Sequence, residues 1–333
     1  MVEFRTARKV LLFGDSKLVL SRILLEGFLC RLADSPDLIT VGLCDTTGAR
    51  TPLRAFLAEK EISLAHKFRE SFNPRYRDLF PENIPTMRKL AKEFDLPLLS
   101  PPEGKINDPT FVSLLENKFD PDIALSCICL QIFQSHLLSI FDTAINYHNG
   151  LLPEYRGLRA TCWSVYNREK YTGFTFHRMN AKIDDGPILL QNVFPLEDDS
   201  NPLQLDVQKI LAACKRIPEL IEMIVGGSDG EPQVTQGSYY SLRDFEAITT
   251  LSNPAEFTAE ELLRRLQAFE ILTVNIGGKS LPVTDLTVSS ERHERLAFFS
   301  GDGFQLAIKR IRFLPPWLYF FYRFLREKQI RNS

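Results

Sequence analysis

A chain of 333 residues, 44% hydrophobic and 25% charged, can bury a real core and has room for two ordinary domains. Its formal net charge of -2 offers no general attraction to polyanions, and no apolar run reaches the roughly 18–20 residues of a membrane span. The opening MVEFRTARKVLLFGDSK has too short an apolar stretch for a secretory signal, so the cytoplasm is the expected compartment.

In chain order, KVLLFGDS reads as a strand closed by Gly14, and LVLSRILLEGFLCRLA repeats apolar residues at helical spacing. Leu38 to Asp45 is the next expected strand, Ile84 to Phe94 a helix, Pro121 to Ile128 a third strand, and QIFQSHLLSIF another helix. Residues 54–82 are charged, aromatic and without period, and take no assignment. Ala144 to Tyr147 is expected to end a strand, and Phe174 to His177 to form a short one. Strands alternating with helices imply an α/β fold, a mostly parallel sheet covered by helices on both faces.

After Gln191 the texture changes. SNPLQLDVQKILAACKRIPELIEMIVGG reads as a long amphipathic helix capped by Ser200 or Asn201 and stopped at Gly226 and Gly227. TAEELLRRLQAF follows, with Thr258 and Glu261 spaced as a capping box, and then strand-like runs KSLPVTDLTV, RLAFFSG and FQLAIKRIRF. The expected partition is a domain over 1–197 and a linker helix with a smaller β-rich domain over 198–333.

The six cysteines lack metal-site or disulfide spacing and are read as reduced thiols. Cys127 and Cys129 sit in an apolar run and read as core packing. The turn FGDSK, with Gly14, Asp15 and Ser16, is either a tight strand-to-helix turn or a phosphate cradle; it lacks both the Walker and the G-x-G-x-x-G patterns.

The densest chemistry lies in INYHNGLLPEYRG. Asn146 and His148 fall at the carboxyl end of a strand, the edge where open parallel sheets bind ligands. Further on, GFTFHRMNAKIDDGPILLQ brings Asp184 and Asp185 to a turn before Gly186. An amide, an imidazole and a carboxylate at strand ends favour a site. His177 reads as a core or rim residue, Asp185 as a turn residue, and Trp163 and Tyr166 as packing. His66, His136 and His293 belong to no constellation.

The run Asn146-x-His148-x-x-Leu151-Leu152-Pro153-x-Tyr155-x-Gly157, then Gly173-x-Thr175, then Ile183-Asp184-x-Gly186-x-Ile188-Leu189-x-Gln191, resembles the folate-dependent formyltransferases. That family includes methionyl-tRNA formyltransferase and the nucleotide-sugar N-formyltransferases. The resemblance covers about Lys9 to Gln191 well and the rest more loosely. It implies a Rossmann-like fold, 10-formyltetrahydrofolate as co-substrate, no metal, and Asn146, His148 and Asp184 as the catalytic trio. It places folate contacts at Cys127, Cys129, Leu130, Gln131, Ile132, Leu152, Pro153 and Ile183. Substrate contacts fall to Gly14, Asp15, Ser16, Tyr155, Arg156 and Arg159, although Arg156 and Arg159 read equally well as solvated charges. Two departures stand out: Gly150 where many members have Ser, and GLRATCWSVYN in place of the Ala-Pro step of the tRNA enzymes.

Formyl transfer to a neutral amine creates an oxyanion and an ammonium, which explains an amide donor, a histidine near neutrality and a carboxylate. A nucleotide-linked amino sugar is the expected acceptor, ahead of a hydroxylamine or amino-acid precursor. Initiator methionyl-tRNA is a further alternative, supported by seven basic residues between Lys309 and Ser333 (Lys309, Arg310, Arg312, Arg323, Arg326, Lys328, Arg331), although this basic aromatic tail can equally pack on its own protein or lie on a membrane surface. A hydrolase of formyl-folate is set aside because that enzyme carries an N-terminal regulatory domain, for which the chain leaves no room. A non-catalytic folate-binding protein and a homodimer complete the expectations.

Overall fold

The computed structural model describes residues 7–48, 84–276, 278–289 and 297–311; the unassigned segment 54–82, His66, His293 and the basic aromatic tail from 312 lie outside them. Two compact units emerge. The first comprises Met1–Gly157, Thr172–Pro195 and Leu203–Tyr239, and the second Leu158–Tyr171, Leu196–Pro202 and Tyr240–Ser333.

The first unit is built on strands β1 (Arg8–Gly14), β2 (Leu38–Asp45), β3 (Leu98–Leu99), β4 (Ile123–Cys127) and β5 (Thr143–His148). A short β6 (Arg156–Gly157) follows, and then β7 (Tyr171–Arg178) and β8 (Ile188–Pro195). The sheet order is β3-β2-β1-β4-β5-β7-β8. Strands β3, β2, β1, β4 and β5 pair in parallel, and β7 joins β5 antiparallel. This is the Rossmann-like, mostly parallel arrangement, with the order reversing between β1 and β4.

The period of two in β1 produces two cores. Val10 and Leu12 enter one apolar cluster, with helix α1 (Val19–Leu32) and the long helix over Pro202–Val225; Leu11 and Phe13 enter the other, with Phe111, Leu137 and Phe141. Fully burying each such Leu or Phe is worth about 1.5–3 kcal/mol, which fixes the strand's register. On the long helix Ile210, Ala213, Ile217, Leu220 and Ile224 recur at helical spacing, and all are buried in the first cluster. That helix therefore belongs to the first unit, and the units divide differently from the expected boundary at 197.

Helices α2 (Met87–Glu93), α3 (Pro109–Leu114) and α4 (Ser135–Leu138) complete the described helices before the site. The helix expected over QIFQSHLLSIF is reduced to the single turn α4. Its first residues are held instead by long-range bonds: Gln131 Nε2 donates to the carbonyls of Thr46 (2.6 Å) and Gly104 (2.8 Å), and Ile106 N–H donates to Gln131 Oε1 (3.3 Å).

The second unit carries a five-stranded sheet whose neighbouring strands are, in order, Thr250–Leu251, Leu272–Ile276, Lys279–Val288, Gln305–Ile311 and Ala297–Phe299. This is the small β-rich domain the sequence implies. Thr258 caps the helix Ala259–Phe269 by accepting from Glu261 N–H, but the expected capping box is only half made. The Glu261 carboxylate is drawn away to Tyr166 Oη (2.7 Å), Arg265 Nε (2.6 Å) and Arg264. Trp163 stacks on Tyr240 with ring centroids 4.1 Å apart and meets Phe269 edge-on, so it packs as expected.

Candidate active site

Antiparallel pairing of β5 with β7 sets Asn146 opposite His177 and His148 opposite Thr175. Because alternate residues share a face, Asn146 and His148 present themselves on one side of the sheet at the end of β5. His148 and His177 are buried, with 6% and 2% exposure, and Asn146 is partly buried.

Asp184 lies between the two histidines. Its Oδ2 is 3.3 Å from His148 Nδ1 and its Oδ1 is 3.4 Å from His177 Nε2, while Gly157 N–H donates to Oδ2 at 2.8 Å. His148 Nε2 faces the Tyr155 carbonyl at 2.9 Å. His177 Nδ1 faces the Arg178 carbonyl at 2.8 Å, and its Nε2 lies 3.2 Å from Asn146 Nδ2. The Asn146 side-chain amide is thus held against His177 at the end of β5.

Burial pushes the His148 imidazole below its ordinary value, opposed by the Asp184 carboxylate and the Tyr155 carbonyl and assisted by His177 and Lys209. Burial works to raise the Asp184 carboxyl, but the two histidines and the Gly157 N–H outweigh it and hold the group well below the usual carboxylate range. At neutral pH the site therefore holds an ionised Asp184 beside a neutral His148. If His148 takes up a proton, both of its N–H groups have acceptors waiting, Tyr155 O and Asp184 Oδ2.

The remaining motif residues hold this geometry. Gly186 is required by close approach: a Cβ there would stand 1.9 Å from the Arg178 carbonyl oxygen. Thr175 Oγ1 donates to Gly150 O (2.7 Å) and accepts from Leu152 N–H (3.2 Å) and Gln191 Nε2 (2.9 Å), and Gln191 Nε2 also reaches Leu152 O (2.7 Å). These bonds fix the Leu151-Leu152-Pro153 turn that carries Tyr155 and Gly157 into the site. Behind it, Tyr147 Oη donates to Asn149 Oδ1 (3.1 Å), Asn149 Nδ2 to Asp206 Oδ1 (2.6 Å), and the fully buried Lys209 Nζ to Thr172 Oγ1 (2.8 Å) and Asn149 O (3.3 Å).

The other expected residues make contacts of their own. Gly14, Asp15 and Ser16 form a turn closed on its own chain: a Cβ on Gly14 would lie 2.5 Å from Leu25 Cδ1, and Asp15 Oδ1 accepts from Lys17 N–H (2.9 Å) and Thr47 Oγ1 (2.8 Å). Ser16 shares a 3.0 Å hydrogen bond between hydroxyls with Thr47. Cys127 is buried and its carbonyl is taken by Ser21 Oγ. Cys129 Sγ bonds the backbone of Gln131, and Ile132 and Ile183 are exposed at 60% and 37%. Leu152 and Tyr155 are buried; Leu130 and Pro153 are half-buried. Arg156 is paired with Asp185, so Asp185 is an ion-pair partner rather than a plain turn residue. Arg159 belongs to the second unit, where it pairs with Glu270 at 3.4 Å. His136 is exposed, with Nε2 2.8 Å from Asn107 O.

Sequence reasoning missed His177 as a site residue. The signal was its position seven residues before Asp184 on a strand antiparallel to the one bearing Asn146. Among the described residues no three His, Cys, Asp or Glu side chains group as metal ligands, and no helix is long and apolar enough to cross a membrane.

Residues 102–213 match the family model for formyl transferase. GDP-perosamine N-formyltransferase of Brucella melitensis is 34% identical over 124 residues, covering 37% of this chain and 48% of the relative. Methionyl-tRNA formyltransferase of Thermodesulfovibrio yellowstonii is 32% identical over 157 residues, covering 46% and 50%. The chain thus spans about half the length of these relatives. A sugar N-formyltransferase from a Shewanella species superposes with a TM-score of 0.59 at 20% identity, over 84% of this chain and 97% of that one. The N-formyltransferase of Helicobacter canadensis, in complex with folinic acid and dTDP-3-aminofucose, gives 0.51 at 15% identity, over 91% and 99%, so the fold is shared. With Asn146, His148 and Asp184 all inside the matched segment, the chain carries a formyl transferase domain, related to the sugar N-formyltransferases and the methionyl-tRNA formyltransferases.

Proposed function

We propose that the chain is an N-formyltransferase that moves a formyl group from 10-formyltetrahydrofolate to the primary amine of a nucleotide-linked amino sugar. The observation that carries this reading is the Asp184 carboxylate set between His148 and His177 with Asn146 held on His177.

The residues meet each demand of the reaction. Attack of the amine nitrogen on the formyl carbon shifts an electron pair onto the formyl oxygen. The Asn146 side-chain amide is a donor for that oxyanion, and loss of one such donor costs on the order of 10² to 10³ in turnover. His148, neutral at rest, accepts the proton the new ammonium must lose, and Asp184 stabilises the imidazolium. Return of that proton to the folate nitrogen lets the C–N bond to the carrier break with the charges balanced. For the carrier, the segment 128–132 at the end of β4 offers backbone groups, and the exposed Ile132 and Ile183 offer apolar surface. The acceptor class rests on the perosamine enzyme among the relatives and on the amino-sugar nucleotide named for the Helicobacter enzyme.

The test is a screen of amines with 10-formyltetrahydrofolate, following tetrahydrofolate release by absorbance and product by mass. Transfer to a nucleotide amino sugar is expected. Transfer to methionyl-tRNA alone, with the steep salt dependence of a phosphate-bound substrate, would overturn the acceptor and keep the donor.

A further inference from the structure

The segment 228–239 crosses both loops that hold the His148–Asp184 pair. On one side the Ser238 carbonyl accepts from Arg156 N–H (3.0 Å) and Ser238 Oγ from Tyr155 N–H (2.8 Å), and Tyr155 supplies the carbonyl facing His148. On the other side Glu231 and Ile188 exchange two backbone bonds (2.7 and 2.8 Å), and Gln233 Nε2 donates to the carbonyls of Asp184 (2.9 Å) and Gly186 (2.8 Å).

The second contact bears on the chemistry. Asp184 has φ 52°, in the left-handed region, which is strained for a non-glycine residue and persists only where the surroundings impose it. Gly186, two residues on, has no room for a side chain. The turn is therefore strained at Asp184 and crowded at Gly186. A side-chain amide has two hydrogens on one nitrogen, which matches two carbonyls two residues apart.

We infer that Gln233 is a positioning residue: its amide group clamps the Asp184–Gly186 turn and so keeps the Asp184 carboxylate against His148 and His177. The kinetic consequence rests on the formyl-transfer reading; the geometric consequence applies to any reaction that uses the pair. The groups facing His148 are Asp184, His177, Lys209 and the Tyr155 carbonyl. Only Asp184 among them supplies a negative charge, so its withdrawal lowers the pH at which His148 titrates.

The experiment compares wild type with Gln233→Met, which keeps the volume and removes both donors. The His148 titration is read by ¹⁵N NMR of the imidazoles, with the resonance assigned through His148→Gln. The expected result is a His148 midpoint shifted to lower pH, and kcat reduced about ten- to a hundredfold with KM for donor and acceptor within about twofold. Gln233→Asn, a smaller change, carries the same comparison if the Met variant fails to fold. A midpoint identical to wild type, with kcat unchanged or with kcat and KM falling together alongside melting temperature, overturns the inference. A wild type that transfers formyl to no amine overturns the functional reading instead, and the NMR comparison then decides Gln233 alone.

Discussion

Two aspartates, the buried Asp15 just after β1 and the part-buried Asp184 after β7, show how one side chain serves opposite ends. Asp15 is fully buried, and one of its oxygens takes Lys17 N–H and Thr47 Oγ1, both neutral donors of neighbouring loops, while its own N–H donates to Ser21 Oγ. Asp184 faces two imidazoles at 3.3 and 3.4 Å on a backbone in the left-handed region. The first carboxylate closes a turn. The second is held beside two imidazoles, one of which, His148, burial keeps below its ordinary value and so ready to accept a proton.

The sharpest break of that contrast is replacement at the second region. His148→Ala and Asp184→Ala are each expected to lower turnover at least about a hundredfold while circular dichroism stays that of wild type, because both groups act on charges that peak in the transition state. Near-wild-type turnover from either variant would remove the trio.

The pH dependence sharpens the same comparison. Burial places the His148 midpoint below its ordinary value, and the proton acceptor must be unprotonated. The His148 limb of kcat/KM should therefore lie below about pH 6.5, with the rate dropping about tenfold per unit further down and the substrate amine contributing a separate limb. In Asp184→Asn the carboxylate that raises the imidazole is gone, so the limb should move to still lower pH. A limb fixed in place would show that His148 is not the group titrating.

Much of this site was legible because its chemistry is written in short motifs. Asn146, His148, Asp184, Gly186 and Gln191 lie in two runs, and the structure gives each a partner. Strands Leu38–Asp45 and Lys279–Val288 match the reading residue for residue, since β-branched runs bounded by turn residues carry their own signal. What escaped was non-local. His177 gains its meaning from antiparallel register with Asn146, and Gln233 from a segment that returns to the site after a helix of 24 residues. Other signals were local but unread. Asp108 and Pro109 start the helix Pro109–Leu114, and Ser241 with Asp244 makes the full capping box of the helix Leu242–Thr249.

At the first region the expectation is the reverse. Asp15→Ala leaves Lys17 N–H and Thr47 Oγ1 without this acceptor, so stability should fall by about 1–3 kcal/mol while kcat of the folded protein stays within about threefold. Denaturant titration and turnover measured on one preparation separate the two effects. Loss of turnover by a hundredfold at unchanged stability would move Asp15 from the turn into the reaction.

The smallest effect is expected at Ile128, where the chain leaves β4 toward the segment proposed to hold the folate. Ile128 has φ 59°, a conformation that a β-branched side chain adopts at a cost of order 1–3 kcal/mol, and it is only partly buried against the core. Ile128→Gly forfeits part of the 1.5–3 kcal/mol that full burial of such a side chain is worth and about 0.5–1 kcal/mol of unfolded-state entropy, but it releases the strain. The terms offset, and the net change should stay within about 1 kcal/mol. Ile123→Gly, at a fully buried position of the same strand with no left-handed backbone to relieve, should cost several times more. Equal losses at the two positions, read from denaturant midpoints, would mean that Ile128 stores no strain and that β4 ends as an ordinary strand does.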